Sequence, residues 1–579
     1  MSKLNIDQQT IKQLFSDKKS DFLIPDYQRP YAWDEVECQT LWDDVFNFSF
    51  PNDDCDQFDS DNDEYFLGPI VTYKNDAGKL EIIDGQQRLT TLMLLLRAFY
   101  TKFENMQDKN SVNIRETISK CIWKTDEFDN LKMDELKIAS EVSSDDDKEE
   151  FLALLKTGED KKEYKSQYAE NYRFFKEKIQ DFTDHYPSWC AYLPARIMNN
   201  CILLPIEAES QDTALRIFST LNDRGKPLSD SDIFKAQFYK HYADKGEKDQ
   251  FIKRWKELED TCSKLFFPQK GTPMDDLFTR YMYYERAKQG NRNTTTEALR
   301  KFYERDGYAL LKKDETFDNL EMLAQFWKDI IYQEDTFSKR VQKKLFVLSY
   351  APNSMWEYVV SVYFMHNKDA AGILDEEPFY AFLDKITGFI FAYAFTHPGV
   401  NALRTPVYPE LINIVNDEPV LFKDFRFEEE GLRNTLENYV FGNQRPITRS
   451  MLTWWAYRND AQVLFDWEEA LEIEHIFPRK RQENESALEN PRSLEALGNK
   501  ALLEKRINIR ASDYRFEDKK KYYTGFTTDK GKVKEATRND ELITMAKGMD
   551  DFAEIDIINR TQNIFDGFVD CLRDNDLLQ

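Results

Sequence analysis

Residues 79–103 hold the pattern that most constrains the fold. Leu80 to Ile83 read as a short strand, and Asp84-Gly85-Gln86-Gln87-Arg88 as a polar turn. Leu89, Leu92, Met93, Leu96, Phe99, Tyr100 and Phe103 then recur at helical spacing. Free amides at the start of that helix, together with its dipole, favour an anion there. Arg88 adds a planar donor fork suited to phosphate, and Asp84 is placed to hold a metal or activate a water. The competing reading is a tight turn with Arg88 in a structural ion pair.

Elsewhere glycine and proline are low, at 19 each, and long apolar-periodic stretches dominate. The pattern predicts an α+β chain that is mostly helical with a few strands, without internal repeats. The 579 residues leave room for roughly four domains of about 150 residues. A hydrophobic fraction of 41% excludes wholesale disorder. A net charge of -26 excludes a basic polymer binder, so any nucleic-acid contact must use a local patch against the global field.

The longest apolar runs, Leu92 to Leu96 and Phe389 to Phe395, are far too short for a membrane span. The opening MSKLNIDQQT has no apolar signal core, so a cytoplasmic location is expected. Seven cysteines without a C-x-x-C pair argue against a disulfide framework or zinc ribbon. Asn52 to Glu64 and Glu141 to Glu150 read as charged loops. Asp59, Asp61 and Asp63 imitate the start of a calcium loop, but Glu64 and Ile70 stand where glycine and glutamate are needed.

Two further segments mix polar groups with aromatics. In Ile24 to Trp33, Pro25 and Pro30 force an extended path, and Gln28 and Arg29 lie among Tyr27, Tyr31 and Trp33. Such a strip can read bases or phosphates, or simply cap a core. In Ile202 to Lys240, a strand precedes an amphipathic helix that starts near Asp212. Asn222-Asp223-Arg224-Gly225 breaks that helix, and Ser229 to Asp232 starts another. Asn222 and Arg224 therefore fall on a turn where polar groups can meet a ligand or tie down carbonyls. Residues 241–430 are helical and aromatic, with His366 and His397 read as structural.

The strongest chemistry lies in residues 471–523. Leu471 to Pro478 read as a strand ending at proline, with Glu474 and His475 adjacent and so directed to opposite faces. Leu497-Gly498-Asn499 precedes Leu502 and Leu503, and Asn508 lies 33 residues beyond His475. This is the order of a ββα-metal (HNH-type) nuclease. Glu474 and Asn508 would hold an oxygen-preferring cation, His475 would take a proton from water, and Asn499 would orient the imidazole. Between Arg479 and Lys521, 12 basic residues face 8 acidic ones. Arg479-Lys480-Arg481 and Lys519-Lys520-Lys521 could hold a DNA backbone, or form an ordinary solvated face.

Together, IPDYQRPYAW, FLGPIV with IIDGQQRLTTL, IFSTLNDRGKPLSDSDIFK, EIEHIFP, LGNKALL, Asn508 and FEDKK resemble the GmrSD family of modification-dependent (type IV) restriction endonucleases. The resemblance implies a ParB/sulfiredoxin-like N-terminal core with a helical bundle, and a C-terminal HNH nuclease embedded in helices. Residues 1–240 would bind and hydrolyse a nucleoside triphosphate (GTP, ATP or another) and sense DNA. Residues 241–430 would form a helical middle region, and 431–579 the nuclease.

Asp84, Gly85, Gln86, Gln87 and Arg88 would form the nucleotide site, with Asp84 and Arg88 catalytic. Tyr27, Gln28 and Arg29 would lie beside it, joined by Asn222 and Arg224. Glu474, His475, Asn499 and Asn508 would form the nuclease site with Mg2+ or Mn2+. Asp513 stands where relatives often have a further asparagine, so it replaces or supplements Asn508 as a ligand. The expected partner is double-stranded modified phage DNA, with oligomerisation open. The expected function is antiphage defence by a nucleotide-regulated endonuclease. The alternative is a nucleotide-switched DNA-binding module with a weak or silent nuclease.

Overall fold

The computed structural model describes residues 5–6, 8–142, 145–211, 213–214, 217, 229–295, 297–399 and 402–579. They fall into two compact units, Met1–Glu257 and Leu258–Gln579. Helices dominate both and strands are confined to small sheets, so the fold is mostly helical α+β, as expected. Among the described residues, no helix is long and apolar enough to cross a membrane.

The first unit is built on a mixed sheet. Its strands are β1 (Asn5–Ile6), β2 (Gln9–Thr10), β3 (Phe22–Ile24), β4 (Tyr65–Lys74), β5 (Leu80–Asp84), β8 (Ile138–Ser140) and β9 (Cys201–Ala208). Two more strands, β6 (Trp123–Thr125) and β7 (Leu131–Leu136), form a separate hairpin. The sheet order is β1-β9-β4-β5-β3-β8, with β2 beside β9. β4 runs parallel to β9 and antiparallel to β5.

The helix expected after β5 spans Gln86–Phe103. Gly85 makes the turn between them at φ 90°, in the left-handed region open to glycine. Every residue from Gln86 to Phe99 is buried. A helix without a solvent face must be covered all round. The helices Lys109–Ile122 and Gln167–His185 pack on it. Periodicity pointed to one apolar face, but Leu94 and Leu95 bury the others. Each such leucine contributes roughly 1.5–3 kcal/mol. Ser229 caps the helix Asp230–Asp244 in a reciprocal box with Asp232, as its spacing predicts. Asp212, Asn222 and Arg224 lie outside the described residues.

The second unit packs helices such as Pro273–Lys288, Asp314–Ile331, Met355–Asn367 and Glu376–Thr396 through aromatic contacts. Phe326 and Phe364, for example, stack at 4.1 Å. His366 bonds Asp417, and His397 stacks on Tyr393, consistent with structural roles. Beyond them lie two strands, β10 (Leu471–His475) and β11 (Lys500–Glu504), and the helices Lys505–Ala511, Phe516–Thr524 and Glu554–Asp574. Ile476, Phe477, Leu503, Ile507, Phe516 and Tyr523 form a separate small core beneath the strands.

Candidate nuclease site and nucleotide turn

β10 pairs antiparallel with β11, placing His475 opposite Lys500. β11 runs directly into the helix Lys505–Ala511, completing a strand–strand–helix unit. Alternation along β10 sends Glu472 and Glu474 to one face and His475 to the other.

On the first face, the Glu474 carboxylate is buried. Its Oε1 accepts from Lys519 Nζ at 2.7 Å and from Tyr523 Oη at 2.6 Å. Burial pushes this carboxyl above its ordinary value, against the pull of Lys519 and Tyr523. Both bonds land on Oε1, and Oε2 carries neither. Asn508 does not reach Glu474; its Nδ2 donates to Glu472 Oε2 at 2.9 Å. Asp513 is exposed on the same side, close enough for its charge to raise Glu474 further.

On the second face, the His475 Nε2 atom is buried and has no hydrogen-bond partner among the described residues. Glu495 Oε1 stands 3.6 Å away, outside hydrogen-bond range. Glu495 itself is held by Arg479 and by Lys500, each at 2.7 Å. Burial pushes the imidazole down to about 4, helped by the charges of Lys500, Arg479 and Lys519 and opposed by Glu495. The ring is therefore neutral near pH 7, the form able to accept a proton.

Asn499 departs from its expected role. It was expected to orient the imidazole, but its amide closes the turn instead. Its Oδ1 accepts from Phe477 N at 2.7 Å, and Nδ2 donates to the Phe477 and Leu494 carbonyls. A short asparagine buried under the strand end spends its hydrogen bonds on backbone that would otherwise be orphaned. Its influence on His475 runs through the chain, not the ring.

The basic flanks also divide. Lys519 is buried and bound to Glu474 and the His475 carbonyl, and Arg481 is tied to Asp551 by two bonds of 2.8 Å. Neither can be part of a DNA-facing surface as expected. Lys480, Lys521 and Arg479 remain exposed.

In the first unit, the turn after β5 brings Gln86, Gln87 and Arg88 against the 25–33 loop and β4. Gln87 accepts from Ala32 N at 2.7 Å and donates to the Pro30 carbonyl, while Gln86 donates to the Arg29 carbonyl. Gln28 donates to the Ile82 and Ile83 carbonyls. Arg88 is buried, and its Nη1 donates to the Pro69 carbonyl at 2.9 Å, so at least one arm of the expected fork serves the fold. The Tyr27 ring packs against Tyr239 at a tilt of 44°, and burial pushes its hydroxyl well up. Among the described residues, no side chain caps the helix Gln86–Phe103 at its N-terminus.

Both ends of the chain match a family model. Residues 11–239 match the GmrSD restriction endonuclease N-terminal domain, and residues 426–566 match the GmrSD restriction endonuclease C-terminal domain. The chain belongs to the GmrSD family of restriction endonucleases. No curated protein matches it. Membership makes this GmrSD protein a DNA endonuclease of antiphage defence. Its C-terminal match encloses β10, β11 and every residue described around His475.

Residue spacing alone missed Tyr523 and Glu495, and read Lys519 only as part of a lysine run for DNA. Lys519 had a signal, because it ends the F-x-x-K motif of FEDKK. Glu495 had none, since it approaches His475 only through the fold of the segment between the strands.

Proposed function

We propose that this GmrSD protein cuts modified DNA by divalent-metal-dependent hydrolysis at the strand–strand–helix unit, under control of a nucleoside triphosphate bound at the turn after β5. The observation that carries this reading is His475: a neutral imidazole with an unpartnered ring nitrogen, one residue from a buried carboxylate. A neutral ring keeps one nitrogen lone pair with which to accept the proton of the attacking water.

Glu474 through Oε2, Asn508 through its amide oxygen, and Asp513 would hold Mg2+ or Mn2+. All three offer oxygen, the preference of such ions. Among the described residues no group of three His, Cys, Asp or Glu side chains is close enough to hold a metal. Mg2+ keeps several waters and needs only one or two carboxylates plus substrate phosphate. When bound, the cation supplies charge stabilisation at the phosphate and the leaving oxygen. Lys519 and Tyr523 fix Glu474 against the strand, and exposed Lys480 and Lys521 attract the DNA backbone.

At the other end, the start of the helix Gln86–Phe103, with Gly85 at its N-cap, would receive a phosphate group. Gly85 permits the close turn, and Asp84 would activate a water. Gln86 and Gln87 would couple an occupied turn to Tyr27, Gln28 and Arg29 through the bonds that already join the two segments.

Plasmid nicking with Mg2+ or Mn2+, across DNA with different base modifications and with each nucleoside triphosphate, tests the proposal. His475→Ala should lower the rate by about a thousandfold while nucleotide hydrolysis persists. Unchanged cutting would overturn the nuclease assignment. The saturation of Glu474 Oε1 favours the second reading, a nucleotide-switched DNA-binding module with a silent nuclease. That reading gains if the wild-type chain binds DNA but never cuts it.

A further inference from the structure

His475 closes β10 directly opposite Lys500 on β11. Opposed residues of an antiparallel pair point to one face, so Lys500 shares the face of the imidazole. Its side chain is fully buried, and its ammonium donates to Glu495 Oε2 at 2.7 Å and to the Phe441 carbonyl at 2.6 Å. Glu495 ends the short 3-10 turn Pro491–Glu495, and Arg479 donates to its other oxygen, Oε1, at 2.7 Å. A carboxylate gripped at both oxygens has a fixed place. That place sets Oε1 3.6 Å from His475 Nε2.

Nε2 is buried, with no hydrogen-bond partner among the described residues. Asn499, whose order in the sequence suited it to orient the imidazole, spends its amide on the Phe477 and Leu494 backbone. The orienting role is therefore open, and Glu495 is the charged group standing at the ring nitrogen. Burial pushes its carboxyl up, but the hydrogen bond and charge of Lys500 outweigh this, so the group ends below its ordinary value and is charged near pH 7.

A neutral imidazole carries a proton on one nitrogen and a lone pair on the other, and the group facing each nitrogen decides which. A lone pair turned to the Glu495 oxygen is repelled, whereas an N–H turned to it is attracted. Arg479 and Lys500 are cations on the same side, but each donates to Glu495. The 3.6 Å gap exceeds hydrogen-bond range, as catalytic contacts often do before substrate binds. We propose that Glu495 is the positioning residue of His475. Its Oε1 draws the single ring proton to Nε2 and leaves the Nδ1 lone pair for the water that attacks the phosphodiester. When Nδ1 takes the proton of that water, the ring becomes an imidazolium and Glu495 stabilises its Nε2–H. The inference deepens the nuclease reading of His475 and rests on it.

Nitrogen-15 spectra of the full-length chain, labelled at histidine, test it. The chain has five histidines, so the His475 ring is found by its absence from the spectrum of His475→Ala. Near pH 7 the parent ring should carry its proton on Nε2. In the double variant Glu495→Ala with Lys500→Met, which leaves no buried ammonium unpaired, the Nδ1–H form should gain share. Plasmid cutting by the same variant should fall about tenfold to hundredfold in kcat, while KM does not rise. A parent ring protonated on Nδ1 overturns the inference, and that spectrum needs no substitution that could unfold the chain. A double variant that melts and cuts like the parent also overturns it. Cutting by His475→Ala at the parental rate overturns the nuclease reading instead, and the spectra still report which nitrogen holds the proton.

Discussion

Lys519 Nζ donates to Glu474 Oε1 across 2.7 Å, with side-chain exposures of 1% and 4%. The same ammonium donates to the His475 carbonyl, so one buried cation grips both residues of the Glu-His pair. Removing it leaves a buried carboxylate without its cation. Lys519→Met should therefore destabilise the chain by about 3–5 kcal/mol. Adding Glu474→Gln should recover most of that loss, because the stranded charge disappears. Thermal melts of the two variants check this; equal stability of the single and double variants would show that the pair carries no such coupling.

Asn499 stitches the strand end after His475 to the turn that precedes β11. Asn499→Ala orphans the Phe477 amide and the Leu494 carbonyl at a fully buried position. The expected cost is about 1–3 kcal/mol for each stranded group. Asn499→Asp keeps the acceptor for Phe477 but turns a carboxylate oxygen onto the Phe477 and Leu494 carbonyls at a fully buried position, and should cost at least as much as alanine. Urea unfolding at pH 7 gives the order. If alanine and wild type unfold together, the amide does not hold the turn.

In the first unit, Gly68 lies at φ 121°, and a Cβ there would come within 2.9 Å of Arg88 Cζ. Gly68→Ala should cost about 1–3 kcal/mol through backbone strain and displacement of the guanidinium. Arg88→Ala should also lower the melting temperature of the chain without nucleotide, since Pro69 loses its donor. A residue serving only a bound phosphate would leave that temperature unchanged, so the nucleotide-free melt separates the two roles.

These contacts mark how far the sequence could be read. The strand Leu80–Asp84, the helix after it, the Ser229 cap and β10 were all legible, because each depends on local period or local capping. The order Glu-His, L-G-N and Asn508 foretold two strands and a helix. What the order could not carry is pairing across the fold. Asn508 meets Glu472 instead of Glu474 because the helix after β11 starts directly at Lys505, which fixes where residue 508 crosses β10. Lys519 looked like part of a lysine run for DNA, yet the packing of Phe516 and Tyr523 turns it inward. Glu495 reached His475 unannounced, since nothing local in a loop records which strand its side chain will face.

The turn bearing Asn499 has a further brace, and it should fail in acid. Arg560 Nη1 donates to the carbonyls of Gly498 at 3.0 Å and Lys500 at 2.7 Å, while Nε and Nη2 bond Glu541 at 2.8 and 2.7 Å. Burial pushes the Glu541 carboxyl up, but Arg560 outweighs it with charge and hydrogen bonds, helped by Trp455, and the group ends below its ordinary value. A carboxyl lowered by folding stabilises the native state once pH exceeds its unfolded value, about 4.3, and that stability is lost as pH falls through the folded value. Glu541→Gln keeps the shape without the charge. Wild type should exceed it in urea midpoint by a constant margin between about pH 6 and 8, and the margin should close below about pH 4. A margin that stays constant into acid would show that the Glu541 charge does not brace the turn.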